Sequence, residues 1–217
     1  PRSTQSRSSA ASDVYKRQAP YSEMSESPMR ISPYLGTYFY RINVEVPHLQ
    51  DPKVRKALAM SIDRDNIVDK ITKGGQIPAY AMTPPGTMGY YPKSELRYDP
   101  KEARKLLAEA GYPDGQGFPM TEILYNTNEG HRKIAVAIQE MWKQNLNVDI
   151  QILNQEWKVY LDSESAGEYQ ISRAGWIGDY VDPNNFLDMF ICNGGNNRTG
   201  WCNHCLLYTS PSPRDAT

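Results

Sequence analysis

The alternation of apolar and polar positions divides the chain into short elements. Residues 37–44, Thr-Tyr-Phe-Tyr-Arg-Ile-Asn-Val, are β-branched and aromatic and predict a strand. Asp51-Pro52 supplies an N-cap and a proline at the first helical position for a helix through Val54, Ala57, Leu58 and Ile62. A second helix is expected from Asp63, carrying Ile67, Val68 and Ile71, with Gly74-Gly75 to stop it. Residues 76–98 hold Pro78, Pro84, Pro85 and Pro92 among several tyrosines and read as a long, stiff loop. Asp99-Pro100 opens another capped helix, ended by Gly111. Thr121 to Tyr125 predicts a strand. Glu129 to Gln144 is the strongest helix, with Ile134, Ala137, Ile138, Met141 and Trp142 on one face. Val148 to Leu153 alternates as a strand, and Trp157, Tyr160 and Leu161 suit a short helix. Tyr169, Ile171 and Arg173 continue as a strand into Gly175, and Asp182-Pro183 starts a last helix with Phe186, Leu187 and Phe190. This order of elements is that of an α/β unit with helices packed on a sheet.

Both ends depart from that pattern. Residues 1–18 and residues 205–217 lack helical or strand period and are rich in Ser, Arg and Pro. They resemble translated sequencing-adapter DNA and are expected to be extraneous, which leaves residues 19–204 as the body. The chain is then an internal piece of a longer protein. It begins at Pro1, so the lack of a charged start leading into an apolar segment says nothing about compartment.

Composition narrows the class of partner. The 217 residues carry a net charge of -1, which offers no footprint for nucleic acid or an anionic membrane surface. No apolar run is long enough to cross a bilayer. The 15 tyrosines and 4 tryptophans favour a surface that grips polar guests through flat apolar faces. No zinc-protease, nucleophile-elbow or phosphate-loop motif is present. With three histidines in all, a hydrolase has little support.

The richest stretch is Ser172-Arg-Ala-Gly-Trp-Ile-Gly-Asp-Tyr-Val-Asp-Pro-Asn-Asn-Phe186. It places a cation, two carboxylates and aromatics in a strand-to-loop-to-helix transition, as suits a site for a charged, polar guest. The residues alone leave two readings of Asp179: a ligand's cation partner, or a loop carboxylate bonding local N–H groups. Arg173 is either a carboxylate clamp or a structural ion pair. His131 stands where a helix dipole favours an anion, or is simply a surface histidine. Trp157 and Trp176 either wall pockets or pack in the core, and Trp142 is read as core. Asn126, just past a strand end, is a candidate to bond a ligand's backbone. Cys192 and Cys202 can pair in an oxidising compartment. With His204 and Cys205 they superficially resemble a zinc site, but Cys205 lies in the segment set aside.

Several motifs in order carry a family resemblance: Val54-Arg-Lys-Ala-Leu-Ala-Met-Ser-Ile-Asp-Arg-Asp65, Ala79-Tyr-Ala-Met-Thr-Pro-Pro85, Tyr98-Asp-Pro-Lys-Glu-Ala-Arg-Lys-Leu-Leu107, Asn154-Gln-Glu-Trp157 and Arg173-Ala-Gly-Trp-Ile-Gly-Asp-Tyr180. The chain resembles the family 5 extracellular solute-binding proteins, receptors of ATP-driven importers for peptides and nickel, and most of all the oligopeptide-binding members. The resemblance implies a class II periplasmic-binding-protein-like fold of two lobes, of which this chain is most of the second. It implies that Asp179 takes the α-ammonium of a bound peptide, that Arg173 and His131 meet its carboxylate, and that Trp157 and Trp176 line hydrated, sequence-tolerant pockets. Members that use an Arg in the loop after Asp162 are not matched, because Glu164 occupies that region. The remaining implications are a binding protein rather than an enzyme, without cofactor or metal. Its partners would be short peptides and the permease subunits of an ABC importer. A monomer is expected, at the periplasmic or outer face of the cytoplasmic membrane, touching membrane only through the transporter or a lipid anchor. The alternatives are a receptor for another solute (a nickel complex, haem, a murein peptide) and a peptidase.

Overall fold

A computed structural model describes residues 34–203. The two end segments expected to be extraneous lie outside the described residues, as do residues 19–33 and 204 of the expected body. Four strands form one sheet: β1 (Gly36–Ile42), β2 (Thr121–Asn126), β3 (Ile150–Gln155) and β4 (Ile171–Ile177), in the order β1-β4-β2-β3. β2 runs parallel to both β3 and β4, while β1 is antiparallel to β4 along its whole length.

The helices begin where side chains satisfy the first free N–H groups. Asp51 caps α1 (Pro52–Met60) and Asp99 caps α3 (Pro100–Glu109), each with proline at the first helical position. Asn128 caps α4 (Glu129–Leu146) by accepting from the N–H groups of Gly130 and His131. Glu156 caps α5 (Trp157–Ala166), which Gly167 ends in the left-handed conformation. The helix expected from Asp63 is shorter and wider than its pattern suggests. A turn of α2 (Arg64–Asn66) passes into a π-helical stretch, Ile67–Thr72, and Lys73 ends it at φ 50 before the glycines are reached. The last helix is likewise brief, α6 (Asn184–Leu187) and one 3-10 turn.

The two crossovers leave β2 and β3 toward opposite faces of the sheet. α4 joins β2 to β3 on one face, where Leu58, Leu107, Ile123, Ile138, Trp142, Leu146 and Ile171 form the main core with α1 and α3. Trp142 belongs to that core, as its spacing indicates, and its Nε1 donates to the Leu58 carbonyl at 2.9 Å. α5 lies on the other face over Leu124, Tyr160 and Tyr169. When consecutive connections part in this way, a crevice opens beyond the carboxyl ends of the strands.

Two local expectations fail for tertiary reasons. The first strand stops at Ile42 rather than Val44, because Asn43 turns its amide to the Gly167 and Tyr169 carbonyls and Val44 N–H bonds Thr199. Residues after Asp162 are not a loop. They are the last turn of α5, and Glu164 is 4% exposed there.

Candidate functional site

The six candidate ligand residues stand on β2 or β4, or in the segments that follow β2, β3 and β4. Asn126 ends β2, Trp157 opens the helix after β3, Arg173 and Trp176 lie on β4, and Asp179 follows β4. His131 reaches the same edge from the first turn of α4, placed by the Asn128 cap.

Arg173, Asn126 and His131 are brought into one array, and Tyr38 of β1 is the residue that joins them. The Arg173 guanidinium lies 4.9 Å over the Tyr38 ring and donates to Asn126 Oδ1 at 3.3 Å. Tyr38 Oη stands 3.3 Å from His131 Nδ1, with the two rings 5.6 Å apart. Burial, reinforced by the nearby Arg173 charge, brings the His131 pKa down to about 4, so its imidazole is neutral near pH 7. The positive end of α4 acts in the same direction. Burial raises the Tyr38 pKa, which keeps its phenol protonated. Arg173 forms no ion pair with any carboxylate among the described residues, and its buried Nε has no partner. Opposite it in register, the buried Tyr40 Oη is also unpartnered.

Asp179 is exposed, and its carboxylate accepts no hydrogen bond among the described residues. The turn that presents it is tightly built. Gly178 N–H donates to the Leu35 carbonyl, and a Cβ at Gly178 would stand 2.7 Å from Leu35 Cδ2. On the far side Trp176 Nε1 donates to Asn185 Oδ1 at 2.7 Å, and Asn185 returns a bond to the Tyr180 carbonyl. Trp176 is therefore half-buried and anchored, whereas Trp157 is 51% exposed and stacks on Tyr160. The edge is an open face. Two surface clefts among the described residues, one between α4 and β3 and one beside residues 193–198, include none of Asp179, Arg173 or His131.

Glu164 lies apart from this array, on the α5 face. It binds Arg41 and Arg198 at 2.8 Å each and accepts from Ser172 and Tyr160. It is a structural hub within α5 rather than a loop residue. Cys192 and Cys202 form a disulfide, so neither sulfur is a free thiolate for zinc, and Cys205 lies outside the described residues. Tyr38 and Asn185 went unread in the sequence. Alternation does put Tyr38 and Tyr40 on one face of β1, but only the pairing of β1 with β4 shows that this face carries Arg173.

The family model described as "Bacterial extracellular solute-binding proteins, family 5 Middle" matches residues 4–198. The chain belongs to this family. It is 42% identical to the oligopeptide-binding protein OppA of Bacillus subtilis over 204 residues, 88% of this chain and 37% of that protein. Among solved structures, a periplasmic oligopeptide-binding protein of Borrelia burgdorferi superposes with a TM-score of 0.76 at 36% identity, over 91% of this chain and 42% of that one. Haemophilus influenzae OppA in complex with RPPGFSPFR matches at a TM-score of 0.70 and 41% identity, over 78% of this chain and 35% of that one. The family 5 chain described here thus spans less than half the length of these relatives. Its open α/β sheet matches part of the periplasmic-binding-protein fold, and these relatives are named as binding proteins, not enzymes.

Proposed function

We propose that this chain is the part of an ABC importer's receptor that holds a short peptide by its two charged ends, outside the cytoplasmic membrane, without catalysis. The observation that carries the reading is a pair of unmatched charges on one strand and its turn. Asp179 has no cation and Arg173 no carboxylate among the described residues. A zwitterionic guest supplies both. Its α-ammonium offers charge-assisted hydrogen bonds to Asp179. Its carboxylate meets the guanidinium of Arg173 and the imidazole of His131, at a helix N-terminus that favours an anion. Asn126 has committed Oδ1 to Arg173, which leaves its Nδ2 for the ligand's backbone. Trp157 and Trp176 wall the side-chain space, where water fills what a side chain does not. The partners of such a receptor are short peptides and the permease subunits of the importer.

Calorimetry on the full-length protein with tri- to pentapeptides, free and N-acetylated, tests the ammonium anchor. Acetylation is expected to weaken binding about 10- to 100-fold, and Asp179→Asn to abolish the difference. Equal affinity for free and acetylated peptides in the unaltered protein rejects the anchor. Because the charged edge is an open face, the 217-residue chain alone is expected to bind far more weakly than the full-length protein.

A further inference from the structure

Tyr38 occupies a position that neither a packing role nor chance proximity to one ligand residue explains, since it touches both members of the proposed carboxylate pair. Its ring lies beneath the Arg173 guanidinium at 4.9 Å, and its hydroxyl is 3.3 Å from His131 Nδ1. The register sets this up. Tyr38 faces Gly175 across the β1–β4 pairing, so no opposing side chain competes for the space, while Tyr40 faces Arg173 itself. Tyr40 then packs edge-on against Tyr38, with ring centroids 5.9 Å apart.

We propose that Tyr38 is the positioning residue of the carboxylate end, carrying the Arg173 guanidinium on its ring and fixing the His131 proton on Nε2 through a hydrogen bond to Nδ1. The inference rests on the reading of Arg173 and His131 as the pair that holds the ligand's carboxylate. A neutral imidazole has one donor and one acceptor nitrogen, and its neighbour decides which is which. A phenol is a stronger acid than a neutral imidazole N–H, and an imidazole nitrogen is a better acceptor than a phenol oxygen. The favoured bond therefore runs from Tyr38 Oη–H to His131 Nδ1. The proton then sits on Nε2, where it serves as a donor. The opposite tautomer would present a lone pair to the carboxylate and repel it. Arg173 is held from two sides, by the ring below and by Asn126 at one terminal nitrogen. This leaves its other terminal nitrogen for the guest and lowers the ordering cost of binding.

The test uses the full-length protein, its Tyr38→Phe variant, which keeps the ring and loses the hydroxyl, and Tyr38→Leu, which loses both. Imidazole nitrogen chemical shifts of His131, from histidine-selective nitrogen labelling, report the tautomer without any ligand. Calorimetry with trialanine and its C-terminal amide reports how strongly each protein prefers a free carboxylate. The unaltered protein should show an unprotonated Nδ1 and a protonated Nε2. Tyr38→Phe should give a mixture of tautomers and lower the acid-to-amide preference about 5- to 20-fold, with amide affinity unchanged. Tyr38→Leu should lower the preference further. A protonated Nδ1 in the unaltered protein overturns the inference, whatever the variants do. So does an acid preference that Tyr38→Phe leaves intact. An unaltered protein that does not distinguish acid from amide overturns the carboxylate reading instead, and the tautomer measurement still judges Tyr38's hold on His131.

Discussion

Truncating Glu164 to alanine removes the acceptor of Arg41, Arg198 and Ser172 at once, while the Tyr160 hydroxyl keeps the Arg173 carbonyl. Arg41 and Arg198 each stand 2.8 Å from its carboxylate, with Ser172 Oγ at 3.1 Å and Tyr160 Oη at 3.3 Å. Arg198 is partly exposed and can turn to water, but Arg41 is only 9% exposed and would be left as an uncompensated buried charge. Breaking a buried pair by removing one partner costs roughly 3–5 kcal/mol. For a domain of this size each kcal/mol moves Tm by about 2–4 °C, so the expected loss is about 6–20 °C. Thermal unfolding followed by circular dichroism measures it. Glu164→Gln keeps an acceptor oxygen and should lose less. The double variant Glu164→Met with Arg41→Met removes both buried charges and should recover most of the stability, because a well-packed apolar pair can replace a buried ion pair. A loss below about 2 °C for Glu164→Ala would place this triad with exposed ion pairs, which contribute little, and would refute the argument.

Acidification should weaken the fold through His131. Its imidazole, depressed by burial and by Arg173 to about 4, stays neutral in the folded chain while the unfolded chain takes up a proton near its ordinary 6.5. Stability therefore falls as pH drops from about 6.5 to 4 and is not regained below, by on the order of 1–2 kcal/mol after allowance for solvent. Urea unfolding at pH 7 and pH 4.5 reads this, and His131→Gln should flatten the slope; a slope that survives the substitution assigns it elsewhere. Reducing the Cys192–Cys202 bond, which closes a loop with a sequence separation of 10, should cost about 2–3 kcal/mol in the same assay. No shift of the urea midpoint on reduction would show that the loop is held by Arg198, Thr199 and Tyr169 alone. Asn128→Ala removes the α4 cap and should cost about 1 kcal/mol. It should also displace His131, whose N–H that cap holds, and so weaken binding of free-acid peptides more than amides.

What the chain announces locally, it announces well. Asp51-Pro52 and Asp99-Pro100 mark helix starts because a carboxylate and a proline meet the needs of a first turn without help from the rest of the molecule. The apolar face of α4 is legible because its period is intrinsic to the helix, although Ala135 and Leu146 are buried there more deeply than Ala137. The region after Asp162 does not show its role along the chain, because nothing in Ser163-Glu-Ser-Ala166 indicates that two arginines, one far before it and one after it, close on Glu164.

The order of strands and helices, the family likeness and the residue types that a charged peptide would need are all legible along the chain. Those are matters of short-range spacing and of motifs read along the chain. Which of these residues meet depends on the fold. β1, more than a hundred positions before β4, pairs with it in antiparallel register, and only that register lays Tyr38 beneath Arg173 and beside His131. The physical reason is that strand pairing couples residues by hydrogen-bond register rather than by distance along the chain, so a single step of slip would turn Tyr38 to the face that holds Glu164.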